Sequence, residues 1–87
     1  MIDLKNQERE IINLMFSQGI SWLTAVRIRH KLSLAEVSKM LGISINSLKQ
    51  IEKTERLSSN IKNKMAGIYG CPPKLLICPY WMTAEHK

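Results

Sequence analysis

Apolar residues along this chain recur every three or four positions, and nowhere do they alternate with polar ones strictly enough to mark a strand. Leu4, Ile11, Ile12, Met15 and Phe16 form the first stripe, on a helix expected from the N-cap Asp3 to Gln18 with Gly19 as its stop. The spacing leaves open whether that stripe folds back on the domain or meets its own copy in a dimer. A second helix is predicted from Ser21 to Lys31, with Leu23, Val26 and Leu32 facing inward and Trp22 placed to lock the first helix to the rest.

Ser33-Leu34-Ala35-Glu36 is a capping box, in which the serine hydroxyl and the glutamate carboxylate each accept a hydrogen bond from a backbone N–H that would otherwise be unpaired. A helix therefore starts at Leu34 and lasts to about Leu41, where Gly42 permits a turn and Ser44 caps the next helix. That helix, Ile45 to Lys53, turns Leu48 and Ile51 inward and leaves Ile45, Asn46, Lys49, Gln50 and Lys53 on the opposite face. A solvated stretch, Thr54-Glu55-Arg56-Leu57, leads to a helix capped by Ser58 or Ser59, with Ile61, Met65, Ile68 and Tyr69 on its buried side and Gly70 at its end. Pro72-Pro73 opens a last short helix through Leu75, Leu76 and Ile77, stopped by Pro79 and followed by the apolar tail Tyr80-Trp81-Met82. The expected fold is all-α, a compact bundle of about five to six short helices. It divides into an N-terminal helical extension (1–19), a core domain (20–78) and a C-terminal tail (79–87).

Composition narrows the chemistry. The 87 residues suit one small domain, with 45% hydrophobic and 23% charged residues as in an ordinary globular chain. No apolar run approaches the roughly 18 to 20 residues that cross a bilayer, and the start lacks the pattern of a signal peptide, so a soluble, cytoplasmic protein is expected. Cys71 and Cys78 are predicted to stay reduced, and with His30 and His86 isolated and no Cys-x-x-Cys, neither a metal nor another cofactor is expected. Both histidines are assigned to the surface, and the five scattered methionines to gap-filling in the core. No serine, histidine and carboxylate cluster, phosphate-cradling glycine loop or pair of acids can be assembled, so the chain is not read as an enzyme.

The charge is +6, from 13 Lys and Arg against 7 Asp and Glu, and it is concentrated. Between Ser21 and Lys74 ten basic residues stand against three acidic ones. A positive field confined to one segment attracts polyanions, of which nucleic acid is the commonest. Charge alone does not separate that reading from a merely solvated surface. The two short helices about Gly42 do, because the second displays a row of Asn, Gln and Lys in the form of a helix-turn-helix.

Residues 22 to 76 resemble the Cro and phage-repressor type helix-turn-helix, the Xre family. The likeness rests on Arg27, on Leu32-Ser33-Leu34-Ala35-Glu36-Val37-Ser38, on Leu41-Gly42-Ile43-Ser44, on Leu48 to Ile51-Glu52, and on the serine-capped helix and Leu75-Leu76 that follow. It also resembles repressors and antitoxins of mobile elements. The resemblance implies a lambda-repressor-like core, a structural ion pair between Arg27 and Glu52, base contacts from Ser44, Ile45, Asn46, Lys49 and Gln50, and phosphate contacts from Lys53, Arg56, Asn60 and Lys62. It departs from the family at Leu34, where many members place a polar residue on a phosphate, and at Ser38, where alanine is usual. The function it implies is a sequence-specific double-stranded DNA-binding regulator, a homodimeric repressor on a palindromic operator, associated with the bacterial nucleoid when DNA-bound. The alternative is an antitoxin or adaptor that uses the same fold to bind a protein partner such as a toxin.

Overall fold

The computed structural model describes residues 4–78, so Asp3, the tail Tyr80-Trp81-Met82 and His86 lie outside the described residues. Five α-helices and one 3-10 turn follow in order: α1 (Leu4–Gln18), α2 (Trp22–Arg29), α3 (Leu34–Leu41), α4 (Ile45–Thr54), α5 (Ser59–Tyr69) and the turn Pro73–Leu76. There is no strand among the described residues. The regular structure of the described residues is all helical, as the periodicity predicts.

Most boundaries follow from local hydrogen bonding. Ser21, Ser33, Ser44 and Ser58 each cap a helix by accepting a bond from the backbone N–H three residues on. At Ser33 the box closes reciprocally, its own N–H donating to Glu36 Oε1 at 3.0 Å. Gly42 ends α3 with φ 73°, and open space surrounds the position a Cβ would take there, so the backbone angle alone calls for glycine.

Three boundaries differ from expectation. Helix α2 stops at Arg29 rather than Lys31, because Lys31 takes a left-handed φ of 59° and its N–H donates to the Ile28 carbonyl at 2.8 Å. Helix α4 runs on to Thr54 and ends at Glu55, also left-handed. The segment after Pro72 winds as a 3-10 turn ending at Leu76, which leaves Ile77 about half exposed.

One core draws on every element: Ile11 of α1, Trp22, Leu23, Ala25 and Val26 of α2, Val37 and Leu41 of α3, Leu48 of α4, Met65, Ala66 and Tyr69 of α5, and Leu75 and Leu76. Helix α1 packs on α2, while α3 packs on both α4 and α5. The expected stripe on α1 is narrower than its spacing suggested: Ile11 is buried, Ile12 and Met15 are partly so, and Phe16 is 70% exposed. Trp22 is fully buried, and its indole N–H donates to the Leu75 carbonyl at 2.7 Å, so it ties α2 to the last turn of the described chain rather than to α1 alone. His30 is not a free surface residue. It is half-buried, stacks on Tyr69 with ring centroids 5.1 Å apart, and hydrogen-bonds the Val26 carbonyl through Nδ1.

Candidate nucleic-acid interface

Helix α4 is held by one buried carboxylate. Glu52 is 4% exposed, and Arg27 Nε donates to its Oε2 at 2.7 Å while Nη2 reaches Oε1 at 3.3 Å. A third donor is Thr24, whose hydroxyl meets Oε1 at 2.8 Å and accepts in turn from Ser21 Oγ at 2.9 Å. The remaining arm of Arg27, Nη1, donates to the Leu32 carbonyl at 3.0 Å, just before α3. Two helices and the loop between α2 and α3 therefore converge on one charge pair. A buried carboxylate survives in a core only when its lone pairs are met, as they are here.

Thr24 was not among the residues selected from the sequence. It stands three residues before Arg27 in the turn that Ser21 caps, and no local spacing marks it, because its acceptor Glu52 lies 28 residues further on.

With Leu48 and Glu52 turned in and Ile51 half-buried, α4 presents the rest of its surface outward. Ile45, Asn46, Lys49, Gln50 and Lys53 are all exposed. Ser44 is exposed too, but its hydroxyl is occupied, capping Ser47 N–H at 3.0 Å and donating to Ser47 Oγ at 2.9 Å. Beyond the helix, Arg56 and Asn60 are exposed, whereas Lys62 is half-buried and lines a groove of about 350 Å³ with Thr54, Leu57, Leu76, Ile77 and Cys78. Leu34 is half-buried at the start of α3, and the Ser38 hydroxyl, buried under α3, donates to the Ala35 carbonyl at 3.1 Å.

The electrostatics around this frame are governed by burial. The Tyr69 phenol is pushed well above its ordinary range by desolvation first and then by the nearby Glu52 charge, with Arg27 opposing, and its hydroxyl is buried without a hydrogen-bond partner. Desolvation also raises the Cys71 thiol, against the pull of Arg29. Neither Cys71 nor Cys78 is in a disulfide. Among the described residues no group of three or more His, Cys, Asp or Glu is arranged to hold a metal, and no helix is long and apolar enough to cross a membrane.

Two short helices about a left-handed glycine, the second clamped from beneath and bare above, define a helix-turn-helix DNA-binding protein. Residues 1–54, from before α1 to the last residue of α4, match the family described as Sigma-70, region 4, and the chain belongs to that family. Among curated proteins and among solved structures, none matches.

Proposed function

We propose that this chain is a sequence-specific regulator that lays α4 in the major groove of double-stranded DNA. One observation carries the reading: α4 turns Leu48 and Glu52 inward and keeps Asn46 and Gln50 bare, one helical turn apart on a single row. A major groove about 12 Å wide accepts one helix, and an amide side chain pairs with adenine N6 and N7 through two hydrogen bonds. Ile45, 42% exposed at the start of α4, suits a thymine methyl. Lys53, Arg56, Asn60 and Lys62 follow at the end of α4 and the start of α5, where phosphate contacts would fix the register of the helix without reading sequence.

A single module of this kind covers only about 600–1,000 Å² of protein surface, which favours two copies on half-sites about 34 Å apart. We therefore read the chain as a homodimeric, cytoplasmic repressor on a palindromic operator. The Ser58-capped α5 and the Leu75-Leu76 turn, which continue past residue 54, favour a Cro-type arrangement within the helix-turn-helix class. In vitro selection of duplexes on the purified protein tests this. The expected result is a palindromic site, with Asn46→Ala and Gln50→Ala each relaxing preference at one base pair by about 1–3 kcal/mol. Selection that enriches no sequence, or an unchanged profile in both variants, refutes it. Phe16, 70% exposed on α1, favours the second reading, an antitoxin or adaptor gripping a protein partner; Phe16→Ser, which leaves the buried Ile11 of the same helix in place, would then abolish a protein complex and leave duplex binding intact.

A further inference from the structure

We infer that Lys49 and Lys53 form a seat for one sugar-phosphate strand of the duplex, and that Thr24 and Arg27 keep this seat positive by withholding Glu52 from it. The inference rests on the DNA-binding reading and assigns Lys49 to the backbone rather than to a base edge.

The exposed polar residues of α4 fall on two rows. Asn46 and Gln50 lie on one, Lys49 and Lys53 on the next, each pair a single turn apart. The lysine row lines an open groove of about 390 Å³ shared with Ser21, Thr24 and Arg27 of the α2 face and with Leu34 at the start of α3. A helix lying in the major groove reads bases along its crest and meets the flanking phosphates along its side. The groove is on that side.

Glu52 lies in the same groove, three residues after Lys49 and one before Lys53. At a separation of three on a helix, lysine and glutamate ordinarily pair. Here both carboxylate oxygens are engaged from the opposite direction, Oε2 by Arg27 and Oε1 by Thr24 and Arg27 together, with the group 4% exposed. The ion pairs among the described residues are Arg27–Glu52 and Arg29–Glu10, and neither involves Lys49 or Lys53. Three cations against one carboxylate leave the groove with two net positive charges. Two ammonium groups one turn apart repel each other in the free protein, and a phosphate between them relieves the repulsion.

Thr24 is thus a positioning residue. Its hydroxyl carries no net charge, yet with Arg27 Nη2 it holds Glu52 Oε1 on the α2 side, away from the lysines.

The test compares wild type with K49Q, K53Q, the double lysine variant, T24V and T24S, on a random-sequence duplex and on the best duplex selected by wild type. Affinity is followed between about 50 and 200 mM KCl. Each single lysine change is expected to weaken both duplexes by the same factor and to make the slope of log K against log salt shallower by about 0.9, the double variant by about twice that. T24V is expected to flatten the slope although it removes no charge, with T24S restoring it, and helical circular dichroism checks that each variant stays folded. An unchanged slope in the double lysine variant, or a loss in K49Q confined to the selected duplex, overturns the seat. A wild-type slope in folded T24V overturns the withholding of Glu52. If wild type binds neither duplex at the lowest salt, the DNA-binding reading falls and this inference with it.

Discussion

Replacing Arg27 with methionine, R27M, removes three donated hydrogen bonds while keeping most of the apolar stem. They are Nε to Glu52 Oε2 at 2.7 Å, Nη2 to Oε1 at 3.3 Å and Nη1 to the Leu32 carbonyl at 3.0 Å. The side chains of the pair are 11% and 6% exposed, so water does not take the place of the guanidinium, and Thr24 alone is left to hold a buried carboxylate. Breaking a buried pair from one side costs about 3–5 kcal/mol. An 87-residue domain has only about 4–13 kcal/mol in total at 0.05–0.15 kcal/mol per residue. At roughly 4–8 °C per kcal/mol, the melting temperature falls by at least about 12 °C.

The control is the double variant R27M/E52L. Removing both charges abolishes the stranded carboxylate, and apolar replacements of buried pairs are commonly neutral or stabilising. Against R27M the one added defect is the Thr24 hydroxyl without its acceptor, about 1–3 kcal/mol, the Leu32 carbonyl lacking its Arg27 donor in both variants. The double variant is therefore expected to be more stable than R27M, with a coupling of about 3 kcal/mol in the cycle. Urea denaturation followed by helical circular dichroism measures each ΔG. R27M within about 1 kcal/mol of wild type, or a double variant less stable than R27M, would show that the pair does not hold α4.

Four further outcomes follow from single residues. W22F leaves the buried Leu75 carbonyl without its donor and is expected to cost about 1–3 kcal/mol in the same assay. Y69F removes a buried hydroxyl that has no partner while keeping the ring stacked on His30, so its stability should stay within about 1 kcal/mol of wild type or rise above it. Glu36 is held below the ordinary carboxylate range, first by the Ser33 backbone N–H and then by the Ser33 side chain. A depressed carboxylate favours folding above its unfolded pKa, and that contribution fades as pH falls through the folded value; NMR titration of S33A should find Glu36 moved back upward, with a smaller loss of stability on acidification. K31G relieves a left-handed lysine at φ 59° and is expected to gain about 0.5–1 kcal/mol after the entropy of glycine is set against the strain.

What the sequence made legible was whatever depends on neighbours within a few residues. The capping box at Ser33, the turn at Gly42 and the cap at Ser44 are local hydrogen-bond arrangements, and they place α3 and α4 as the pattern predicts. The end of α2 was not legible, since it falls on lysine at a backbone angle where glycine is the usual signal. Phe16 has the spacing of a core residue and lies outside the packed face, because the width of a buried stripe is set by the helix it meets. His30, expected at the surface, is half-buried for the complementary reason. Its ring is covered by Tyr69, 39 residues further on, a contact without local trace. Thr24 also needed the fold, since only the crossing of α2 and α4 brings its hydroxyl to Glu52.

Helix α2 is the strut on which these long-range contacts meet. Trp22 at its start reaches the Leu75 carbonyl, and Thr24 and Arg27, within the next two turns, reach Glu52. The helix that would read DNA and the turn beyond residue 70 are therefore fixed to the same eight residues, Trp22–Arg29. This bears on where the family match ends. The match stops at residue 54, yet Met65, Ala66, Tyr69, Leu75 and Leu76 belong to the same core as Trp22, Val26 and Leu48. Cut at the family boundary, the indole N–H would lose its acceptor and the core one of its walls. The part of this chain that follows the match thus completes the core on which α4 rests, and under the proposed reading that support would hold the row of amides on α4 in the fixed geometry that base discrimination needs.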